Sequence, residues 1–383
     1  MKRLLTIAML TVAGLASAQS LQGILQSIEA NNTRLAALRS NNNATMAQLD
    51  SETSIVGPTS VEYSPFFGGG ASGIASSELI VSQEFEFPSL SGMRKQSNAA
   101  QGRVLDLQYQ QERRDILLEA KKLCYDITAR VEARNILKTR EHTSDSLLTA
   151  YETSMKHGNA TIIDVNRIKM DRMTVHTQVV QNEGEIATLL AQLQTLNGGQ
   201  PIEGGENLMC EMEKIAGNAG TSLEESIAQA SLNATTHEVK LAQKAWLPSL
   251  TVGYRRNTEL KEATNGFLVG VSMPLFNNSS KVKAAKARQQ AVQAQIDDAV
   301  TQERSRQQAL VAEVKQLEAS IKAYDMPLMM QTLAQIKRAV SAGALTIPEY
   351  YNQADRIYDT MLQLIDLQNK YNRAATDLNR NML

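Results

Sequence analysis

The chain has 383 residues, and its 39 Lys and Arg nearly balance its 40 Asp and Glu, so it lacks the basic excess of nucleic-acid-binding proteins. Aromatic residues make up only 4% of the chain, and glycine and proline are modest, which favours helix over an all-β fold. The mildly negative mean hydropathy excludes a polytopic helical membrane protein.

Residues 1–18 have the pattern of a secretory signal peptide. Lys2 and Arg3 precede an apolar run at 4–15, and Ala-Ser-Ala supplies a small-residue cleavage site before Gln19. A retained membrane anchor is the alternative, but the run is short for a bilayer span. No cysteine follows the cleavage site, so we predict an exported chain without a lipid anchor. No later stretch has about 18 uninterrupted apolar residues, so any membrane insertion must use strands.

The mature chain opens with a predicted helix over residues 21–56, which Gly57-Pro58 is expected to stop. Two segments then alternate polar and apolar residues, at about 60–64 and 78–87, with a Gly- and Ser-rich turn between them. Period two with charge on one face predicts half-buried strands, here paired as a hairpin that Pro88 closes.

A very long helix is predicted from about Leu90 to Gly158, and a second helix follows that glycine. Apolar residues on the second helix keep one heptad lattice, with Arg172 and Asn182 in polar positions, which predicts a coiled coil. The lattice residues are Ile168, Val175, Val179, Ile186, Leu189, Leu193 and Leu196. Residues 198–221 are rich in glycine without periodicity, so we predict a linker or irregular equatorial belt.

The pattern then restarts, so residues 19–197 and 222–383 are predicted to be two repeats of one kind. In the second repeat, strands are expected at about 249–255 and 267–273, with a polar turn at about 257–265. A long helix follows, and an interior proline is expected to kink it at Asp325-Met326-Pro327.

The turn between the long helices carries the same motif in both repeats. The glycine tolerates the positive φ that reverses the chain, and the threonine three residues later can cap the next helix. An acidic residue then favours the positive end of that helix. The paired positions are Gly158 and Gly343, Thr161 and Thr346, and Asp164 and Glu349.

Four strands cannot close a transmembrane barrel, because an open sheet edge leaves unpaired amides in lipid. The smallest bacterial barrels have about eight strands, so several chains must contribute, and three copies give twelve strands around a wet lumen. The predicted fold is therefore mainly α with a small β part, a coiled-coil helical barrel plus a β-barrel completed by trimerisation. A soluble hairpin that caps a periplasmic coiled coil is the alternative. The polar faces carry Glu62, Glu84, Glu86, Thr251 and Arg255.

In this arrangement the chain resembles TolC-type outer-membrane efflux channels over essentially its whole mature length. The resemblance is carried by the two repeats, by the segments VSQEFEFPSLSGMRK, WLPSLTVGY and VSMPLFN, and by the two Gly-x-x-Thr-Ile turns. It implies a homotrimer in outer-membrane lipid that extends through the periplasm and carries drugs or metal ions out passively. The implied partners are a periplasmic adaptor (membrane fusion protein) and an inner-membrane pump of the resistance-nodulation-division type. A type I secretion duct and a periplasmic scaffold or adaptor are the alternatives.

The resemblance also assigns roles to the two turns. It makes Gly158, Thr161, Gly343 and Thr346 the docking points for the helical-hairpin tips of the adaptor. Channels of this family are closed at the same end by salt bridges and acidic rings, and three-fold repetition of an acidic group favours cations. The candidate constriction residues are Asp164, Glu349, Asn352 and Asp355.

Within this set, Glu349 is the best acidic-ring candidate. The second acidic position of the family falls on Asn352, a departure for which Asp355, one turn further, can substitute. Asp164 is expected to pair with a basic neighbour, Lys337 or Arg338.

No enzyme motif, cofactor site or metal site is found in the sequence. The histidines at 142, 157, 176 and 237 are scattered, and solvated helix faces explain them better than a metal relay through the first three. Methionines cluster at 326–330 and flank Cys210, where thioethers suit soft metals but also serve as ordinary coiled-coil filler. Cys124 and Cys210 are either a disulfide or two free thiols in an oxidising compartment.

Overall fold

The structure is a computed structural model that describes residues 21–68, 74–216, 222–259, 262–273 and 278–383. The predicted signal peptide lies outside the described residues. The chain divides into two compact units, each drawn from both predicted repeats, so the repeat division itself stays a prediction. Among described residues, unit 1 holds 21–33, 114–216 and 307–383, and unit 2 holds 34–113 and 222–306 with the gaps given above.

Helix dominates both units. The α-helices are α1 (Leu21–Asn31), α2 (Thr33–Ser51), α3 (Pro88–Lys156), α4 (Ile162–Leu196), α5 (Leu223–Lys244), α6 (Asn278–Lys322), α7 (Met326–Ser341) and α8 (Ile347–Leu378). Short 3-10 turns lie at Gly205–Asn207 and Arg380–Met382. None of the helices in the described ranges is long and apolar enough to cross a membrane.

The end of the first predicted helix was wrong. The helix breaks at Asn32 and ends at Ser51, and Gly57 and Pro58 lie inside the first strand, where its register shifts. The strand tolerates this proline because Pro58 lies in the register shift between Val56 and Thr59, where it has no partner on β2 that would need its N–H.

The four predicted strands are present and longer than expected, and they form one antiparallel sheet in chain order. The strands are β1 (Val56–Phe67), β2 (Ile74–Phe85), β3 (Ser249–Glu259) and β4 (Glu262–Ser272). The predicted turn at 257–265 was wrong, because Asn257 pairs with Thr264 and Glu259 pairs with Glu262. The polar residues at 257–259 and 262–264 predict a turn, but they lie at the mostly exposed end of the β3–β4 hairpin, where a strand can be polar on both faces.

The register sorts the sheet into two different faces. Directly opposite residues of an antiparallel pair share a face, and Val81 lies opposite both Val61 and Tyr254. This apolar face is exposed, with Phe267 at 91% and Val269 at 70% accessibility. The other face is polar. It carries Glu62, Glu78, Glu84 and Arg255, and Arg255 forms an ion pair with Glu78.

In unit 1, α3 and α4 form the predicted antiparallel coiled coil. Val165, Ile168, Val175, Val179, Ile186 and Leu193 of α4 are buried, and Asn182 is buried among them. Ion pairs run along the seam between the two helices. They join Glu152 to Lys169, Asp145 to Arg172, Lys138 to Glu183 and Arg130 to Glu185. These pairs match an antiparallel register, because residues further from the turn on α3 meet residues further along α4.

The predicted kink at 325–327 is a complete break between two helices. α6 ends at Lys322, and the Asp325 carboxylate caps α7 by accepting the backbone N–H of Leu328 at 2.9 Å. Pro327 then sits in the first turn of α7, where its missing N–H has no partner to lose.

The described part of the predicted belt, residues 198–216, is irregular apart from its 3-10 turn. Asn379, at the end of α8, fixes this segment by donating to the Glu213 carboxylate at 2.7 Å and the Lys214 carbonyl at 2.8 Å. The side-chain oxygen of Asn379 also accepts from the N–H of Ala216, and that of Asn372 accepts from the N–H of Glu213. The segment is therefore clasped to α8 by two asparagines.

We expect Ile168→Ala to lower the free energy of unfolding by about 2–5 kcal/mol, because Ile168 is fully buried in the core shared by α3, α4, α7 and α8. Ile163→Ala on the same helix is the matched control, since Ile163 is 74% exposed and its loss leaves no cavity. Chemical denaturation of both variants measures the difference, and equal losses would contradict this packing.

Candidate functional site

The two turns that follow α3 and α7 share one backbone conformation. Gly158 has φ +77° and Gly343 has φ +74°. A Cβ at either glycine would meet nothing within 4 Å, so the positive φ rather than lack of space demands glycine. After Gly158 the N–H of Asn159 reaches back to Ser154 O at 2.9 Å, and after Gly343 the N–H of Ala344 reaches Ala339 O at 2.9 Å. These bonds close the ends of α3 and α7 in the Schellman manner.

Each turn leads into a complete capping box on the next helix. The Thr161 hydroxyl accepts from the N–H of Asp164 at 3.2 Å, and the N–H of Thr161 donates to the Asp164 carboxylate at 3.1 Å. At the second turn the corresponding distances are 3.4 Å and 2.9 Å, between Thr346 and Glu349. Both threonines therefore act as helix caps, and the acidic residues satisfy the remaining N–H groups.

These caps engage the two carboxylates that we expected at the constriction. The N–H and hydroxyl of Thr346 hold the pKa of Glu349 below its usual value, so Glu349 stays ionised at the exposed start of α8. Asp164 bonds to Thr161, and no ion pair joins it to Lys337 or Arg338 in the described part of the chain. Both carboxylates are therefore part of the N-terminal caps of α4 and α8, directly after the turns that reverse the chain.

The remaining two candidates differ from each other. Asn352 is exposed on α8. Asp355 is half-buried and accepts from Arg140 of α3 at 2.6 Å. The structure therefore separates a solvent-facing amide from a carboxylate that joins two helices.

Arg140 is the centre of a polar cluster that sequence reasoning missed. Its guanidinium contacts the carboxylates of Asp171 on α4 and Asp355 on α8. The Ser144 hydroxyl donates to Asp171 at 2.6 Å, and the guanidinium lies 5.1 Å from the centre of the Tyr358 ring. We call these five residues the Arg140 cluster. Charged residues on long helices are common, so only their convergence in space marks them.

The cluster is largely withdrawn from water. The side chains of Arg140 and Asp171 are 12% and 7% exposed. Burial raises the pKa of Asp355, while Arg140 acts in the opposite direction. Moving α8 away would leave the buried Arg140 charge without the Asp355 carboxylate, which would destabilise the folded chain. The cluster therefore ties α8 to the α3–α4 pair.

A groove of about 380 Å³ runs beside the cluster between α3, α7 and α8. Its walls are mainly apolar, and Lys337 donates to Thr143 at 3.5 Å on its edge. The apolar lining includes Ile136, Leu333, Tyr350, Tyr358 and Met361.

Two of the four histidines make polar contacts close to their own helices. His157 contacts the carbonyl of Thr153 and His176 contacts Glu141, both at the surface. No group of three or more His, Cys, Asp or Glu in the described ranges is arranged to hold a metal ion. Met326 and Met329 pack against the core, as ordinary filler does. Cys124 and Cys210 are free thiols here.

Residues 226–382 match the family model described as "Outer membrane efflux protein". A search of curated proteins found no match. Among solved structures, a membrane protein from Pseudomonas aeruginosa is 15% identical with a TM-score of 0.76, covering 99% of both chains.

Two further structures have the same fold. The outer membrane protein VceC from Vibrio cholerae is 14% identical with a TM-score of 0.73, over 94% of this chain and 95% of that one. The MtrE outer membrane channel from Neisseria gonorrhoeae is 15% identical with a TM-score of 0.72, over 95% and 89%. The mainly helical fold with a four-stranded sheet, and the resemblance to TolC-type channels, are thereby confirmed.

Thr346→Ala should lower the free energy of unfolding by about 1 kcal/mol near neutral pH, because the start of α8 loses its cap. The pKa of Glu349 is lowered in the folded chain, so its share of stability is present above the unfolded pKa and is lost as pH falls through the folded value. The difference between wild type and variant should therefore shrink in acid.

Denaturation at a series of pH values measures this difference. Thr360→Ala is the matched control, since the Thr360 hydroxyl bonds to the Arg356 carbonyl inside α8 and caps no helix end. A loss as large in the control, or a difference independent of pH, would contradict the role of the cap.

Proposed function

We propose that this chain, with an outer membrane efflux protein domain at residues 226–382 and the fold of outer-membrane channels, is one protomer of a trimeric channel. The channel would act as the passive exit duct of a tripartite efflux system and perform no catalysis. One observation carries the proposal: a four-stranded sheet with two open edges, one exposed apolar face and one polar face.

The open edges require partners. Within the described ranges, the order β1-β2-β3-β4 leaves β1 and β4 each paired on one side only. Within lipid every unpaired N–H or C=O costs several kcal/mol, so an isolated sheet of this kind is excluded from the hydrocarbon. Pairing β1 of one copy with β4 of the next removes both edges, and three copies of four strands make twelve, enough for a water-filled lumen.

The two faces suit the two sides of such a barrel. Outward apolar residues such as Val61, Tyr254 and Phe267 would face lipid, where their exposure carries no penalty. Inward residues such as Glu62 and the Arg255–Glu78 pair would face water. A periplasmic scaffold, the rival function, gives no reason for a sheet that exposes its apolar face.

The helix turns would serve the other two functions of the proposed channel, which are adaptor docking and gating. Gly158, Thr161, Gly343 and Thr346 form the rigid ends on which an adaptor hairpin would dock, and the groove beside α7 extends this surface. The partners would be a periplasmic adaptor and an inner-membrane pump of the resistance-nodulation-division type. A type I secretion duct remains the alternative pathway, and the cargo, drug or metal ion, is set by the pump.

The gate would depend on the Arg140 cluster. We place the constriction at the start of α8, where Glu349 and Asn352 are exposed and Asp355 is tied to Arg140. Opening requires α8 to leave the α3–α4 pair, and the buried ion pairs of Arg140 resist that movement. Asp164, held in its cap, supports the neighbouring turn instead of the gate.

The proposed location can be tested by fractionation. We expect the mature protein, cleaved after residue 18 and without lipid, in the outer-membrane fraction as a trimer when extracted in mild detergent. Fractionation measures the location, and native mass spectrometry of the extract measures the mass of the mature chain and the number of copies in the assembly. Recovery of a monomer from the periplasmic fraction would contradict the proposal.

The proposed gate can be tested in planar bilayers. Arg140→Ala should raise single-channel conductance severalfold, because α8 loses its buried ion pairs to α3 and α4. Arg130→Ala is the matched control, since Arg130 also joins α3 to α4 but through an exposed pair with Glu185. Equal conductance for wild type and both variants would remove the Arg140 cluster from the gate.

A further inference from the structure

The chain has two cysteines, and the backbone of each is hydrogen-bonded to the hydroxyl of Thr128. Cys124 lies on α3 with its side chain fully buried, and Cys210 lies on the irregular segment that the asparagines clasp to α8. The N–H of Cys210 donates to the Thr128 hydroxyl at 3.1 Å, and that hydroxyl donates to the Cys124 carbonyl at 2.9 Å. Because Thr128 is one helical turn after Cys124, both face the segment that carries Cys210.

The two thiols are also electrostatic neighbours. Burial raises the pKa of both, and the proximity of Cys210 raises the pKa of Cys124 further. Cys210 is half-buried and borders a small cavity of about 90 Å³, so it has room to change rotamer and is the more accessible of the two. Neither thiol contributes to the turns, the Arg140 cluster or the sheet.

We propose that Cys124 and Cys210 are oxidised to an intramolecular disulfide after export, which ties the segment around residue 210 to α3. The proposal rests on the export that the proposed function includes, because disulfides persist in oxidising compartments and are rare in the cytosol. The geometric part rests on the shared Thr128 hydroxyl and on the proximity of the two thiols, and it does not depend on export.

The proposed oxidant is a protein disulfide of the oxidising compartment that receives the exported chain. The thiolate of Cys210 attacks one sulfur of that disulfide, forms a mixed disulfide and releases the first donor thiolate. The thiolate of Cys124 then attacks the Cys210 sulfur, forms the intramolecular bond and releases the second donor thiolate. Two electrons pass to the donor, and the two protons from the cysteines end on its thiols. Because thiolates are scarce in the folded chain, we expect the bond to form during folding and then to resist reduction.

The disulfide would complete a clasp that is already built from hydrogen bonds. The segment is joined to α8 through Asn372 and Asn379, and the Glu213 carboxylate accepts from Tyr125 of α3 at 2.6 Å. A covalent bond from Cys210 to Cys124 would make the α3 side of this clasp permanent. Closing so long a loop also restricts the unfolded chain, which stabilises the folded one.

Thiol counting tests the proposal. The full chain with its first 18 residues is expressed in a bacterium with an oxidising periplasm, acid-quenched, denatured and treated with a maleimide-polyethylene glycol. We expect no mass addition without reductant and two additions after reduction with a phosphine. Two additions without reductant would overturn the proposal for the exported protein.

A second arm separates this proposal from the proposed function. Reduced protein is refolded in the presence of diamide and then digested, whether or not the chain had reached the outer membrane. A peptide pair joining Cys124 to Cys210 supports the proposal, and two alkylated thiols overturn it. Cys210→Ser is the control variant: it should keep one labelled thiol throughout and unfold at the lower temperature of the reduced wild type. Failure of outer-membrane fractionation would contradict the proposed channel without affecting the diamide result.

Discussion

The unpaired backbone groups along the outer edges of β1 and β4 are the constraint on which the account depends. Four strands with both edges open cannot stay in a hydrocarbon environment alone. The register also puts Val61, Val81 and Tyr254 on one exposed face, a surface that water does not favour. In the proposed channel, closure between copies would satisfy the edges and lipid would cover the apolar face, so trimerisation and membrane insertion would follow from a single requirement.

The helices contribute a second, different kind of order. At the turns, each feature is local: a glycine of positive φ, a threonine cap and an acid three residues later. Around Arg140 the order is non-local, since one buried guanidinium joins carboxylates from two other helices. The turns are therefore held by contacts within a few residues, whereas the proposed gate would depend on ion pairs between helices that can break together.

This difference explains how much the sequence could predict. The turns were predictable because their chemistry lies within about eight consecutive residues, and strand existence followed from period-two alternation. The end of the first helix was missed because Gly57-Pro58 reads as a stop signal in isolation, whereas an edge strand accommodates it. Arg140 and Asn379 could not be predicted, because their partners come from distant parts of the chain and nothing in their own neighbourhood marks them.

The pairing of β1 with β4 of another copy is the central claim, and cross-linking measures it directly. In a variant without Cys124 and Cys210, Val61→Cys on β1 is combined in turn with a cysteine at 265, 267, 269 or 271 on β4, all on the same face. Within one chain β2 and β3 separate these strands, so any disulfide must join two copies. The account predicts that at least one pair gives a covalent trimer in the outer membrane. Monomers for every pair would contradict it.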